Sequence, residues 1–219
     1  MPALSLVIGN KNYSSWSLRP WLLLKQTGLE FEEVRVALGA PDFAKQVLAF
    51  SPAGKVPALR HGALAVWDSL AICEYLNDAF PEIRAWPHAP EERAVARAVS
   101  AEMHSGFTAL RGQMPMNVRA QGRRVKTTPE LEADIARISQ LWRDCRARNA
   151  ARGPFLFGEF SIADAMYAPV AFRFATYGVA LGAVEAAYVE SLRRLPAMTE
   201  WAAAAAAEKD VIAQLEAGV

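Results

Sequence analysis

The sequence predicts a small α/β domain followed by an all-α helical bundle, and three observations predict it. The first eighty residues interleave short apolar, β-branched runs with helical patterns. The segment FPEIRAWPHAP, residues 80–90, then breaks the composition with three prolines. From Glu91 onward, apolar residues recur at helical spacing almost without interruption. The chain has 219 residues, 53% of them hydrophobic, which is enough material for more than one core. The expected division is an α/β domain over 1–81, a linker over 82–90 and a helical domain over 91–219.

Ala3 to Gly9 is a short apolar run of buried-strand character. A polar loop with Asn10, Asn12, Ser14, Ser15 and Ser17 follows, and Leu18 to Leu24 continues as a helix. Any of the three serines can cap that helix, because a hydroxyl accepts an otherwise unpaired N–H of the first turn. Pro20 is expected within the first turn, where its missing N–H costs little, and Gly28 as the stop.

After the loop Ser51, Pro52 and Gly54, a strand is expected over Val56 to Leu59, with Pro57 marking an edge or an unusual backbone. A cis Val56-Pro57 bond would leave the Val56 backbone facing outward, ready to pair with an extended peptide. His61-Gly62 reads as a hairpin turn and Ala63 to Trp67 as the returning strand. Asp68 and Ser69 then open a helix patterned by Ala71, Ile72, Tyr75 and Leu76, so both sit where exposed N–H groups welcome an anion.

In the helical part, Val95, Val99, Met103, Phe107 and Leu110 trace one face of a helix running to about Arg111. Residues 114–128 are polar, contain Pro115 and Gly122, and read as a loop. Leu131, Ile135, Ile138, Trp142 and Cys145 trace a second long helix, and two such amphipathic helices imply a bundle. Ser161 and Asp164 have capping-box spacing, and Pro169 predicts a local kink. Further helices are expected over Val184 to Leu195 and Ala197 to Leu215.

With 24 basic and 23 acidic residues the formal net charge is +1, and no long single-sign run marks a nucleic-acid or anionic-membrane surface. No leader pattern or bilayer-length apolar run is present, so a cytoplasmic location is expected. Cys73 and Cys145 are widely separated, which argues against a disulfide scaffold, a C-x-x-C redox pair or a zinc site.

Two stretches carry a resemblance: NYSSWSLRPW, residues 12–21, and SPAGKVPALRHGALAVWDSLAICEYL, residues 51–76. The chain resembles the cytosolic glutathione transferases, and SSWSLRPWLLL resembles the serine-type classes, particularly the zeta class with its Ser-Ser-Cys-Ser opening. The resemblance implies a thioredoxin-like domain of order βαβαββα that binds glutathione as co-substrate. It also implies a helical domain that supplies most of the second-substrate pocket, a homodimer, and no metal.

By the same resemblance Ser14 or Ser15 is the thiolate-stabilising serine, with Ser14 the closer match to the zeta motif. Val56 and Pro57 would pair with the cysteinyl part of glutathione, Lys55 would lie near its glycine carboxylate, and Asp68 with Ser69 would take its γ-glutamyl end. The implied activity is conjugation or reduction of small hydrophobic electrophiles, including a peroxidase side activity. The alternative is a non-catalytic carrier of glutathione or apolar ligands. A glutaredoxin-like oxidoreductase is disfavoured, because no cysteine lies near Ser14 to Ser17.

The required energy is within reach of these groups. Lowering a thiol pKa from about 8.5 by two units takes roughly 2.7 kcal/mol. One charge-assisted hydrogen bond contributes roughly 1.5 to 3 kcal/mol and a helix N-terminus roughly 0.3 to 1.

Two departures from the zeta pattern matter. Trp16 stands where that class has a cysteine associated with cis-trans isomerisation, and Asp68 replaces the commoner Glu or Gln. Tyr13 and Trp16 suit either pocket lining or packing, and His104 either the electrophile pocket or the helix surface. His61 reads as a turn residue and His88 as a linker residue.

Overall fold

The computed structural model describes residues 3–218. Its first part runs β1 (Leu4–Ile8), α1 (Ser15–Thr27), β2 (Phe31–Arg35), α2 (Phe43–Leu48), β3 (Ala58–His61), β4 (Leu64–Trp67) and α3 (Ser69–Ala79). The sheet order is β2-β1-β3-β4, with β1 parallel to β2 and antiparallel to β3, and β3 and β4 forming the hairpin. This is the expected βαβαββα order. The apolar strand β1 lies inside the sheet, where a run such as LSLVI is buried on both faces.

Two local expectations are corrected. Pro20 is not in the first turn of α1: the helix begins at Ser15, so the proline falls at its sixth residue, inside the helix. Pro57 is not a ladder residue: β3 is an interior strand whose pairing begins at Ala58, so the proline sits just outside and removes no ladder donor. The Val56-Pro57 bond is cis. Gly28 ends α1 at φ 72, the left-handed conformation that glycine adopts without Cβ strain.

The second part is helical: α4 (Pro90–Ser105), α5 (Thr108–Gln113), α6 (Pro129–Asn149), α7 (Ile162–Thr176), α8 (Ala183–Arg193) and α9 (Pro196–Ala207). The helix α7 is buried almost all round, and it packs against α1, α4 and α8. Its start is fixed by the expected capping box of Ser161 and Asp164. Trp142, Tyr167, Phe174 and Tyr188 form an aromatic cluster beside it.

The single helix expected over 91–111 is two. A Cβ at Gly106 would meet the Glu102 carbonyl at 2.8 Å, and Phe107 adopts φ 54, so the chain turns between α4 and α5. Val95, expected on the buried face, is 40% exposed. The last helix ends at Ala207 rather than Leu215, because Glu208 leaves the helical path to accept the Lys11 and Asn12 N–H groups. Among the described residues, no helix is long and apolar enough to cross a membrane.

Candidate active site

Two cavities of about 480 Å³ each adjoin where the two parts of the fold meet, and Trp16 and Val56 line both. The first is also lined by Lys55, Pro57, Asp68, Ser69 and His104, so the residues expected to hold glutathione face one space. Ser14, Ser15, Arg19, Arg111 and Arg173 line the second.

In the first cavity Val56 and Pro57, joined by the cis bond, precede the β3 ladder and lie outside the strand pairing. Asp68 caps α3: its Oδ1 accepts from the Leu70 and Ala71 N–H groups at 2.9 and 3.2 Å. The residue holds φ 79, a conformation that residues other than glycine rarely adopt and that persists where the surrounding structure over-determines it. Lys55 stands exposed at the rim.

The serines divide the work at the start of α1. Ser14 occupies the N-cap position but makes no side-chain cap; its hydroxyl donates to Ser17 Oγ at 2.7 Å, and Ser17 Oγ also accepts from the Gly9 N–H. Ser15, the first residue of the helix, accepts at Oγ from Arg173 Nη2 at 3.2 Å.

Three arginines converge here, and the sequence reading missed all of them. Arg19 stacks on one side of Trp16 with its guanidinium carbon 4.2 Å from the ring centroid, and Arg111 lies over the same ring at 5.1 Å. Their hydrogen-bond partners are neutral. Arg19 Nη1 donates to Ser69 Oγ, Arg111 Nη1 to the His104 and Gly106 carbonyls, and Arg173 Nε to the Met114 carbonyl. Arg19 is 1% and Arg173 4% exposed, and Arg19 Nε and Arg173 Nη1 are buried without a partner among the described residues. Burial, then the neighbouring Arg173 and Arg111, pulls the Arg19 guanidinium down to about 9. Burial, then Arg111, pulls Arg173 down to about 10. Both remain cations at neutral pH. The available signal was a single charge inside a mostly apolar stretch: Arg19 within SLRPWLLL and Arg173 within APVAFRFA.

His104 joins the first cavity: its Nε2 lies 3.1 Å from Asp68 Oδ2, its ring meets the Trp16 edge, and its Nδ1 is buried without a partner among the described residues. Burial, seconded by Arg19 and Arg111 and opposed by Asp68, holds the imidazole below its ordinary value. His61 pairs with the Tyr75 hydroxyl and stacks on Phe80, and His88 lines a separate surface cavity. Both cysteines are buried; burial pushes the Cys145 thiol up to about 11 and the Cys73 thiol further still. Neither is an available thiolate.

Residues 208–216 close one side of the second cavity, with Leu215 in its lining. Glu208 accepts from the Lys11 and Asn12 N–H groups and from Arg35. Glu216 accepts from the Tyr13 hydroxyl and Arg123. Tyr13 is therefore a packing and tethering residue at the cavity edge, its hydroxyl raised in pKa by burial and by Glu216. Among the described residues, no group of three or more His, Cys, Asp or Glu is arranged to hold a metal ion.

Comparison with known proteins agrees with this geometry. The glutathione S-transferase N-terminal domain family matches residues 13–79, and the C-terminal domain family matches residues 127–204. The maleylacetoacetate isomerase of Rattus norvegicus is 35% identical over 99 residues, 44% of this chain and 45% of the rat protein. The zeta-class glutathione S-transferase of Euphorbia esula is 31% identical over 105 residues, 48% of this chain and 47% of that protein. The chain spans about half the length of the curated relatives it matches.

Among solved structures, a glutathione transferase homolog from Burkholderia gl BGR1 with bound glutathione superposes with a TM-score of 0.69 at 24% identity, covering 94% of this chain and 98% of that one. The tau-class enzyme of Mangifera indica superposes at 0.71 with 19% identity, covering 93% and 96%. These likenesses establish a shared fold. With the matched domain families on either side of the two cavities, the chain belongs to the glutathione S-transferase family, with zeta-class proteins among its relatives.

Proposed function

We propose that the protein is a glutathione-dependent transferase whose second substrate is a small electrophile carrying an anionic group. The observation that carries the second half is the convergence of Arg19, Arg111 and Arg173 on the second cavity with only neutral hydrogen-bond partners among the described residues. Cations held largely out of water without a hydrogen-bonded counter-charge are costly, so the cavity favours a ligand that supplies negative charge. This departs from the purely hydrophobic electrophile expected from the family resemblance.

The first cavity suits glutathione in its own terms. The Val56 backbone lies outside the strand ladder, the α3 N-terminus with Ser69 offers donors to a carboxylate, Asp68 offers an acid to an amine, and Lys55 stands at the rim. Bound there, glutathione supplies the thiol that becomes the nucleophile. Ser15 donates its hydroxyl hydrogen to the sulfur, and the α1 N-terminus and the arginines add positive potential. The serine is a donor and forms no bond to the substrate.

The test is the ultraviolet thiolate absorbance of bound glutathione against pH, together with kcat/KM for a carboxylate-bearing aryl halide and its methyl ester. The expected result is a lowered thiol pKa, lost in Ser15→Ala and kept in Ser14→Ala, and a preference for the carboxylate of about tenfold or more. Bound glutathione without a lowered pKa would instead make the protein a carrier.

A glutathione-dependent isomerase is the second reading, favoured by the name of the rat relative together with the cationic second cavity. Trp16 in place of the class cysteine counts against it. Maleylacetoacetate turnover that consumes no glutathione would establish it over the transferase.

A further inference from the structure

We propose that Arg173 is the positioning residue of the thiolate donor: its hydrogen bond from the helical part of the fold selects Ser15 over Ser14 and aims the Ser15 hydrogen at the sulfur. The inference rests on the transferase reading above. A serine hydroxyl has one hydrogen and two acceptor lone pairs, whereas a guanidinium only donates. The 3.2 Å contact from Arg173 Nη2 therefore occupies a Ser15 lone pair and leaves the Ser15 hydrogen unspent. Ser14 is in a different state: its hydroxyl is tied 2.7 Å from Ser17 Oγ, itself held by the Gly9 N–H, in a neutral pair with no cation on its oxygen. Of the two serines lining the second cavity, Ser15 is the one whose oxygen accepts from a cation, which directs its hydrogen elsewhere.

Arg173 is itself held in place. Its Nε donates to the Met114 carbonyl at 2.8 Å, the residue is almost fully buried, and it rides on α7, the helix that packs along α1. The planar fork makes this bridge possible, with one nitrogen on a backbone carbonyl and another on the serine; an ammonium at the same place is a point charge without that geometry. A cation hydrogen-bonded to the oxygen also polarises the O–H and strengthens it as a donor toward a thiolate. The thioredoxin-like part thus holds the serine, and the helical part decides which way its proton points.

A purely structural Arg173, satisfying Met114, would change stability and leave thiol acidity alone. The experiment is therefore the bound-glutathione thiol pKa, from the thiolate absorbance, in the wild type, Ser15→Ala, Arg173→Gln, the double variant and Arg173→Lys, with the glutathione Kd measured alongside. Arg173→Gln is expected to raise the pKa by about one unit, roughly a tenfold loss of thiolate below it, while the Kd changes little. The double variant should match Ser15→Ala alone, because the arginine acts through the serine. Arg173→Lys, which keeps the charge and guards against a misfolded Gln variant, should restore the pKa only in part.

An unchanged pKa in both Arg173 variants at intact Kd would overturn the proposal. Shifts that add in the double variant would overturn it too, since the arginine would then act on the sulfur directly. A shift in Ser14→Ala and none in Ser15→Ala would overturn it while leaving the transferase reading standing. Failure of the wild type to bind glutathione would remove both.

Discussion

His104 Nε2 lies 3.1 Å from Asp68 Oδ2, so the last turn of α4 grips the same carboxylate that caps α3. One oxygen of Asp68 holds two helix N–H groups and the other holds an imidazole, which fixes the acid at the wall of the first cavity.

Replacing Asp68 with Asn keeps an acceptor for the cap and removes the charge. If the acid meets the glutathione amine, Asp68→Asn should weaken glutathione binding by about tenfold or more, since a hydrogen bond to a charged group contributes roughly 1.5 to 3 kcal/mol. Calorimetric titration at pH 7.5 checks this, and an unaltered Kd would place the amine elsewhere.

The imidazole predicts an acid-sensitive fold. The folded state holds His104 below its ordinary value of about 6.5, chiefly by burial, so between the folded value and about 6.5 the unfolded chain binds more protons than the folded one. The contribution is fully present above about pH 6.5 and is lost as pH falls through the folded value. His104→Asn should therefore lose less stability than the wild type on going from pH 7.5 to 5, read from urea midpoints at the two values. An identical loss in both proteins would show that His104 does not control this slope.

Asp164 is the sensitive point of the helical part. It is fully buried and accepts from the Leu156 N–H, the Ser161 N–H and hydroxyl, and the Tyr188 hydroxyl. Asp164→Ala leaves several donors unsatisfied and should cost about 3 kcal/mol or more in urea unfolding. Asp164→Asn, which keeps acceptor capacity at one oxygen, should cost less.

These residues also show what could be read in the chain alone. Ser161 and Asp164 were legible because a capping box is a short-range pattern, and the cap at Asp68 because its partners are two and three residues away, whereas the cis bond at Val56-Pro57 was implied by the family resemblance and left open by the local sequence. The arginine cluster was not, because Arg19, Arg111 and Arg173 come from three helices and meet only through the packing of α1 on α7. The choice between Ser14 and Ser15 was open in the sequence for the same reason: the contact that distinguishes them, from Arg173 to Ser15, spans 158 positions. The break at Gly106 was hidden because Phe107 and Leu110 continue the helical spacing across it.

A homodimer is expected from the family. Sedimentation at micromolar concentration should give twice the 23.9 kDa chain mass. A single species of monomer mass would exclude it.

The tether between Tyr13 and Glu216 joins positions 203 apart, and Glu208 reaches back in the same way to Lys11 and Asn12. During synthesis, the α/β part and most of the helices can emerge and pack while this wall of the second cavity does not yet exist. Until Glu216 has been made, Leu215 cannot be held beside Tyr13, so this part of the second cavity's lining forms after the helices that precede it.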